Sequence, residues 1–238
     1  MLTAETRKLA TVVDAVGPGF IAAVDQLRAR IGLNPAGRRQ VFLCHAFCEV
    51  GATSAEVAFG QIRDFLVEHP DQVLLMSVED DVSPDDTETA LADGGLLDLV
   101  YSGPSGPPWP TLRQLIEQDR RVIVFGENDT DHLAWYRPQF KLLEETPYHF
   151  GSAAQLADAS SCRANRGGTG KSLFLLNNWV DTTPAPRPSN ADVVNAYETL
   201  LGRARRCEAE RHRLPNLIAV DFYRRGDVLR VAATLNGV

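Results

Sequence analysis

The chain has 238 residues, of which 44% are hydrophobic and 23% are charged, so it is long enough to bury a full hydrophobic core, most simply as one large domain. Its net charge of −7 gives no overall positive field for nucleic-acid phosphates, so nucleic acid is not an expected partner. The longest apolar runs, such as residues 73–76, are far shorter than the ~20 residues of a membrane-spanning helix. The sequence therefore predicts a globular chain that does not span a membrane.

The amino-terminal part of the chain is predicted to differ from the rest. Residues 1–36 have a helical pattern, and residues 37–238 form the main domain. Residues 1–20 mix charges with apolar positions and lack the basic head, apolar middle and small-residue cleavage site of a signal peptide. No export signal is visible in the chain, and the four cysteines, which allow three pairings if oxidised, leave the compartment open.

Short apolar runs alternate with helical patterns along the main domain. Thr53 and Glu56 have the spacing of a capping box, and Thr111 is placed to cap a later helix. Continuous apolar strands that alternate with helices are typical of a parallel sheet with helices packed outside it. The sequence therefore predicts the α/β class. The predicted strands are 41–43, 73–78, 121–125, 173–176 and 217–220, and the predicted helices are 53–69, 111–116 and 190–206.

Each predicted strand runs directly into polar residues. In a parallel sheet the carboxyl ends of the strands lie at one edge, so these side chains are expected to lie close together, as in a (β/α) barrel. Strands also end in polar residues simply where the chain meets water, which is the alternative for each single case. Five successive cases favour a functional edge. The residues are His45, Glu79, Glu127, Asn177 or Asn178, and Asp221.

The number of predicted strands falls short of a closed barrel. A complete (β/α) barrel has eight strands, whereas the pattern gives five. The sequence therefore predicts a TIM-barrel-like fold that is incomplete at its amino terminus, with the missing strands expected ahead of residue 1.

Seven segments, in this order and spacing, resemble a bacterial branch of the phosphatidylinositol-specific phospholipase C X-domain-like phosphodiesterases. No single segment is specific, but the series covers the chain from about residue 38 to its end. The segments are LCHAFCE (43–49), DFLVEHPDQVLLMSVED (64–80), WPTLRQLI (109–116), ETPY (145–148), SCRANRG (161–167), LFLLNNW (173–179) and LPNLIAVDFY (214–223).

The resemblance implies a distorted TIM barrel in which a neighbouring inositol hydroxyl attacks the phosphodiester. His45 falls on the histidine that acts as general acid, a role that suits imidazole near neutral pH. Asp221 matches a carboxylate that orients the general-base histidine. Glu79 aligns with a calcium-ligating glutamate of the metal-dependent members, so the cofactor is either none or calcium. A structural His45 and a salt-bridged or solvated Glu79 are the alternatives.

The chain departs from the family pattern at the general base. The Thr-His-Asn motif that carries the first histidine does not occur in it, and Asn178 stands where relatives often have a histidine. The other histidines have helix-end or loop contexts, so none is predicted to replace the base. An enzyme without its first strands, an alternative gene start, and an inactive homologue that binds lipid or a partner all remain open. These other histidines are His69, His132, His149 and His212.

Two short motifs suggest other ligands. Residues 166–172 resemble a phosphate-binding loop, but Asn165 replaces the required first glycine and no strand precedes it, so nucleotide is not an expected partner. Cys44, His45 and Cys48 lack a fourth zinc ligand. The candidates for contact with a substrate phosphate or its neighbouring groups are Glu127, Arg166, Lys171, Asn177 and Asn178.

The resemblance also bears on location and partners. Relatives that work outside the cytosol make disulfides Cys44–Cys48 and Cys162–Cys207 the preferred pairs, and the full-length relative is expected to be extracytoplasmic or secreted. The implied substrate is a phospholipid or another phosphodiester. Peripheral membrane contact is best placed at Trp109, within a proline-rich loop.

Overall fold

The computed structural model describes residues 40–44, 51–128, 130–183 and 185–238. The chain divides into two compact units. The first comprises the residues up to Pro104 together with Trp109–Arg137, and the second comprises Ser105–Pro108 together with Pro138–Val238. His45, Cys48 and the predicted helical segment 1–36 lie outside the described residues, so the division at residue 36 stays a prediction.

The first unit contains a parallel strand pair flanked by helices. Strands β3 and β4 run parallel, with Leu74 opposite Val122 and Val78 opposite Gly126, and β5 completes this three-stranded sheet in the order β3-β4-β5. The elements are β1 (Phe42–Cys44), β2 (Ala52–Ser54), α1 (Ala55–Glu68), β3 (Leu74–Val78), α2 (Pro84–Asp93), a 3-10 turn (Leu97–Leu99), α3 (Leu112–Glu117), β4 (Val122–Gly126) and β5 (Tyr136–Pro138).

The first predicted strand is not part of this parallel sheet. Strand β1 pairs antiparallel with β2, with Leu43 opposite Thr53. Thr53 therefore belongs to a strand, and the predicted capping box with Glu56 is wrong, because Ser54 precedes the helix and makes no side-chain cap. The predicted cap at Thr111 is confirmed, since its side chain and that of Gln114 form a reciprocal capping box.

The second unit is built on three parallel strands in the order β6-β7-β8. Leu143 pairs with Leu173, and Asn178 at the end of β7 pairs with Val220 at the end of β8. The carboxyl ends of these strands therefore lie side by side. The elements are α4 (Gln139–Leu142), β6 (Leu143–Glu145), α5 (Ala153–Ala157), a 3-10 turn (Ala159–Cys162), β7 (Leu173–Asn178), α6 (Pro188–Val194), α7 (Tyr197–Arg211), β8 (Leu217–Val220) and α8 (Val228–Asn236).

The helix predicted over 190–206 is two helices. Helix α6 ends at Val194 and α7 begins at Tyr197, with extended backbone at Ala196 between them. The buried side chain of Asn195 explains the break, because its amide donates to the backbone oxygens of Asp221 and Arg225. Those bonds tie Asn195 to the loop after β8.

The α/β class with parallel strands is confirmed. Within the described residues the strands form one two-stranded sheet and two three-stranded sheets, none of which closes on itself. A closed barrel is therefore not observed in the part of the chain that the structure describes.

A disulfide joins Cys162 to Cys207 and connects the 3-10 turn after α5 to helix α7. Both cysteines are fully buried in the second unit's core, and this predicted pair is confirmed. Cys44 is also disulfide-bonded, but its predicted partner Cys48 lies outside the described residues.

Replacing both Cys162 and Cys207 with alanine is expected to lower the free energy of unfolding. The bond closes a loop of 45 residues, and the lost restriction on the unfolded chain corresponds to about 4 kcal/mol. Urea unfolding followed by circular dichroism measures the effect. An unchanged unfolding midpoint in the double variant would show that the bond does not stabilise the fold.

Candidate functional site

At the carboxyl edge of the first unit's sheet, the buried carboxylate is Asp80. Its Oδ1 accepts the backbone N–H groups of Glu127 and Asn128, each at 2.9 Å, and the Asn128 amide donates to the Asp80 backbone oxygen. These bonds join the loop after β3 to the loop after β4. Of the predicted residues, Glu127 is half-buried in this junction and Glu79 is exposed beside it.

The described residues around Glu79 do not make up a complete calcium site. Calcium takes six to eight oxygen ligands. In the described ranges, no group of three or more histidine, cysteine, aspartate or glutamate side chains is placed to hold a metal ion. One exposed glutamate supplies too few oxygens on its own, so calcium binding at Glu79 stays a prediction.

The second unit has a denser polar cluster, centred on Glu145 at the end of β6. The Glu145 side chain is fully buried and accepts four hydrogen bonds. Oε1 accepts from Asn165 at 2.9 Å and from Nε of Arg166 at 2.6 Å. Oε2 accepts from Arg166 at 3.1 Å and from Asn177 at 3.0 Å. The carboxylate thus unites two predicted substrate-binding residues, Arg166 and Asn177.

Arg166 is held from three directions. Its guanidinium forms a bidentate pair with Glu145 and lies between two aromatic rings, 4.3 Å from the centre of Phe140 and 4.5 Å from that of Tyr148. The side chain remains partly exposed. Gly167 follows in a left-handed conformation, and an added Cβ there would collide with the Leu143 backbone oxygen. The loop therefore lies directly against β6, and Arg166 is a fixed, partly accessible cation.

Asn178 faces away from Glu145 and connects β7 to the helices. Its amide donates to the Val194 oxygen at 3.1 Å and to Oδ1 of Asn195 at 3.2 Å. Asn195 in turn donates to the Asp221 backbone oxygen at 2.9 Å. Asn195 therefore connects the Asn178 side chain to the backbone of Asp221 by hydrogen bonds. The buried Asn178 side chain thus positions the backbone that carries Asp221.

The buried side chain of Arg203 holds the end of β7 through hydrogen bonds. Arg203 donates to the Asn177 oxygen at 2.8 Å and to Ser161 and Leu156 oxygens. Burial, with a smaller effect from the charge of Arg206, lowers the pKa of Arg203 to about 9. Backbone oxygens are its main partners, so Arg203 acts as a hydrogen-bonding clamp on this strand end.

Asp221 follows β8 immediately and is half-buried. Burial raises the pKa of the Asp221 carboxyl above its usual range, and the negative charge of Asp181 raises it further. Asp181 lies in the loop after β7, so two carboxyl groups from neighbouring strand ends are close enough to repel each other. Perturbed carboxyl groups of this kind are typical of functional sites.

Asp181 is itself paired with a histidine. Its Oδ2 lies 2.9 Å from Nδ1 of His149, and its Oδ1 accepts from the Trp179 indole at 3.2 Å. The backbone N–H of Asp181 donates to the Phe150 oxygen. His149 follows β6, so the loops after three adjacent parallel strands supply His149, Asp181 and Asp221.

His149 also lines an open cleft of about 530 Å³ in the second unit. Clefts of this size are typical of small-molecule sites. Phe150 gives the cleft an apolar wall, Arg163 adds a positive charge and Asp158 adds a negative one. The cleft therefore combines an imidazole with one side chain of each charge, and Asp181 adjoins it through its contact with His149.

Two predicted contact residues lie elsewhere. Lys171 precedes β7, at the amino end of the strand whose carboxyl end carries Asn177 and Asn178, and its backbone N–H donates to Glu144. Trp109 is half-buried and packs edge-on against Phe125, with ring centres 6.2 Å apart.

Sequence comparisons show which family the chain belongs to. A sequence model described as PI-PLC X 1 matches residues 22–236, which is most of the chain. The chain belongs to the PI-PLC X family. The match begins ahead of residue 38, where the recognisable motifs start.

Three curated relatives are similar to the chain. A PI-PLC X domain-containing protein 1 of Arthroderma benhamiae is 27% identical over 217 residues, which cover 82% of this chain and 69% of the relative. An uncharacterized secreted protein of the same fungus is 25% identical, covering 94% and 58%. A PI-PLC X domain-containing protein of Arabidopsis thaliana is 24% identical, covering 83% and 49%. The chain thus spans between about half and about two thirds of these relatives.

A structural comparison and the helices themselves add one fact each. No solved structure matches the chain. Among the described residues, no helix is long and apolar enough to cross a membrane. Assignment to a bacterial branch of the PI-PLC X family stays a prediction, because the three relatives are fungal or plant proteins.

Several residues at the strand ends of the two units were not predicted from the sequence. Glu145 lies in the ETPY segment. That segment contributed to the family resemblance, but Glu145 was not predicted as a site residue. Asp80 adjoins the predicted Glu79, and its two backbone donors follow another strand. His149 and Asp181 are 32 residues apart, so no local pattern connects them.

Asp221→Asn is expected to stabilise the fold near neutral pH. The folded pKa of Asp221 is raised, so the folded carboxyl binds its proton more tightly than the unfolded one, whose pKa is about 3.9. Stability is therefore lost as pH rises from the unfolded value through the raised folded value. Thermal unfolding across this range should show the variant's advantage growing with pH.

Asp192→Asn is the control of opposite sign. Hydrogen bonding and charge pairing with Arg225 lower the pKa of Asp192, so removal of this carboxylate should reduce stability near neutral pH and have less effect in acid. If Asp221→Asn became less stable relative to wild type as the pH rose, that result would contradict the burial of the Asp221 carboxyl group.

Proposed function

We propose that the chain is a phospholipase C-like phosphoric diester hydrolase with the TIM-barrel-like fold of its family. His45 is the general acid and Asp221 the carboxylate that orients the general base. The observation that carries the proposal is the family match over residues 22–236. The raised pKa of Asp221 at the end of a parallel strand supports it, because such perturbations concentrate at functional sites.

The proposed chemistry is attack on phosphorus by a hydroxyl group next to the phosphodiester. A base takes the proton of that hydroxyl, and His45 gives a proton to the leaving oxygen. Each proton transfer is of the kind that histidine performs near neutral pH. Fixed positive charge is expected to stabilise the negative charge on the phosphoryl oxygens.

The five candidate contact residues receive unequal support. Arg166 has the strongest, because it combines a fixed guanidinium with partial exposure. Asn177 and Asn178 are buried and bonded within the protein, so their proposed contribution is to keep the edge rigid. Glu127 is proposed as a polar contact from its half-buried position. Lys171 has the weakest support, because it precedes β7.

The proposed location is outside the cytosol. The Cys162–Cys207 disulfide and the disulfide-bonded Cys44 support it, because such bonds persist in oxidising compartments. The name of one fungal relative as a secreted protein agrees with this location.

A second candidate function is lipid or partner binding without catalysis. Asn178, where relatives often have a histidine, favours it, as does the engagement of Glu145 by four donors. Such an edge is held together internally and leaves this carboxylate little capacity for further donors. Lipid binding without turnover is the property that separates this candidate from the enzyme.

The test uses purified chain and two probes, with calcium and with a chelator. Phosphatidylinositol vesicles have an alkyl leaving oxygen that needs a proton, whereas a nitrophenyl ester of inositol phosphate has a leaving oxygen that needs little help. We expect release of soluble inositol phosphate and of nitrophenol. Vesicle cosedimentation without product release would instead support the binding module.

A further inference from the structure

The loop after β8 presents two aromatic side chains to solvent at the carboxyl edge of the second unit's sheet. Phe222 is 41% exposed and Tyr223 is 63% exposed, and they follow Asp221 directly after the strand. Single exposed apolar side chains are ordinary on a protein surface. Two adjacent exposed rings are less usual, because aromatic side chains have a large apolar area that favours burial.

The base of this loop is fixed, so the exposure of the rings does not come from a loose segment. The Asn195 amide donates to the backbone oxygens of Asp221 and Arg225. The backbone N–H of Asp227 donates to the Asn195 oxygen at 2.9 Å. Arg225 also forms a bidentate pair with Asp192, with both distances 2.6 Å. These contacts hold the loop on both sides of the two rings.

A tight turn places Tyr223 and Arg224 at the corner of the loop. The backbone N–H of Arg225 donates to the Phe222 oxygen at 2.7 Å, so Tyr223 and Arg224 are the two central residues of the turn. Phe222 has a φ of 50°, in the left-handed region that bulky side chains rarely adopt. Such backbone conformations persist only where the surrounding structure holds them, and they concentrate at functional sites.

Two exposed arginines near the rings have no carboxylate partner within the described part of the chain. Arg224 donates to the Tyr223 hydroxyl at 3.0 Å, and its guanidinium lies 5.6 Å from the centre of the same ring. Arg230 lies 4.0 Å over the Tyr197 ring. Asp227 is the only acidic residue between these arginines, and its carboxylate accepts the backbone N–H of Tyr197. The loop therefore combines exposed aromatic rings with available positive charge.

An anionic membrane surface fits this combination. The whole chain has a net charge of −7, so attraction to an anionic surface has to come from a local group of cations. Aromatic side chains with a polar end are favoured between the apolar and the wet layers of a membrane, and arginines at that depth pair with anionic headgroups. Trp109, the contact predicted from the sequence, is only half-buried in the first unit but packs against Phe125.

We propose that Phe222, Tyr223 and Arg224 dock the second unit onto anionic lipid membranes. The two rings enter the headgroup layer and Arg224 pairs with lipid phosphates, while Arg230 adds to the attraction. Docking through this loop brings Asp221, the residue before it, to the membrane surface. The docking does not depend on turnover and therefore goes beyond the hydrolysis proposed above.

Vesicle cosedimentation with wild-type chain tests the docking directly. Phosphatidylglycerol vesicles are anionic and contain no inositol, so binding to them does not need the headgroup of the proposed substrate. Phosphatidylcholine vesicles, which have no net charge, supply the comparison. Wild type should bind the phosphatidylglycerol vesicles more tightly, and added salt should weaken this binding because it screens the arginines.

Three single variants assign the binding to the loop. Tyr223→Ser removes the more exposed ring and should weaken binding to phosphatidylglycerol vesicles about tenfold. Phe222→Asn removes the other ring and introduces a residue that tolerates the left-handed backbone, with a similar expected loss. Arg224→Gln should weaken the same binding about fivefold, the contribution of one arginine at an anionic surface.

Val67→Ser and Arg205→Gln are the matched controls. Val67 is a 67% exposed apolar side chain on α1, and Arg205 is an exposed arginine on α7. Neither belongs to the loop, so both variants should bind the vesicles as wild type does. Circular dichroism of each variant shows whether the fold is kept.

Failure of the docking and failure of the proposed hydrolysis can be told apart, because they are measured on different lipids. Wild-type chain that bound phosphatidylglycerol vesicles no better than phosphatidylcholine vesicles would overturn docking to an anionic membrane. Folded loop variants that bound as tightly as wild type would overturn the assignment to Phe222, Tyr223 and Arg224. Losses confined to the loop variants support the docking, whether or not phosphatidylinositol is hydrolysed.

Discussion

His45→Ala is expected to lower the turnover of phosphatidylinositol about a hundredfold or more, the usual effect of removing a general acid. Without that proton donor, the alkyl leaving oxygen must depart as an alkoxide. The nitrophenyl ester should lose much less, because its leaving oxygen is stable without a proton. Turnover of both probes by the same protein preparation measures the difference.

His69→Ala is the matched control for this substitution. His69 lies just past the end of α1 and is exposed, with its ring against Phe65. Its removal should leave both rates near those of wild type. Equal losses on the two probes for His45→Ala would assign His45 to another role, and unchanged turnover would remove it from the mechanism.

Glu145→Ala is expected to lower the free energy of unfolding by about 3–5 kcal/mol, the range for breaking a buried ion pair. The variant removes the acceptor of Arg166, Asn165 and Asn177 at once. The Arg166 guanidinium then loses its counter-charge in a partly buried position. Chemical denaturation of purified wild type and variant measures the change.

Glu210→Ala provides the control for Glu145. Glu210 is exposed on α7, so its removal should change stability by only a few tenths of a kcal/mol. A Glu145 variant as stable as Glu210→Ala would contradict the buried network. Glu145→Gln should lie between the two, since its amide keeps one acceptor oxygen.

Much of the fold was predictable because several strands are continuous apolar runs. Leu74–Val78, Val122–Gly126 and Leu217–Val220 agree with the predicted strands within one residue. Strand β6 was missed because two of its three residues are glutamates. Glu144 and Glu145 can be buried there because Arg211 and Arg166 neutralise them, and such long-range pairs leave no local periodic signal.

The strand-end residues of the candidate site could be predicted from the sequence, but the side chains that they contact could not. Asp221 and Asn177 could be named because they directly follow or end apolar runs. The pairing of His149 with Asp181, and of Asn178 with Asn195, depends on how separate loops meet. A single sequence contains no signal for contacts between separate loops. The contact of His149 with Asp181 could therefore not be predicted from the sequence.

The reaction proposed for this PI-PLC X family chain is cleavage of a phosphodiester by attack of a neighbouring hydroxyl. Phosphorus NMR of phosphatidylinositol vesicles incubated with wild-type chain tests it most directly. We expect a new resonance of a cyclic inositol phosphodiester that grows as the lipid signal declines and is lost in His45→Ala. A lipid signal that stays constant at high protein concentration, with and without calcium, would contradict it.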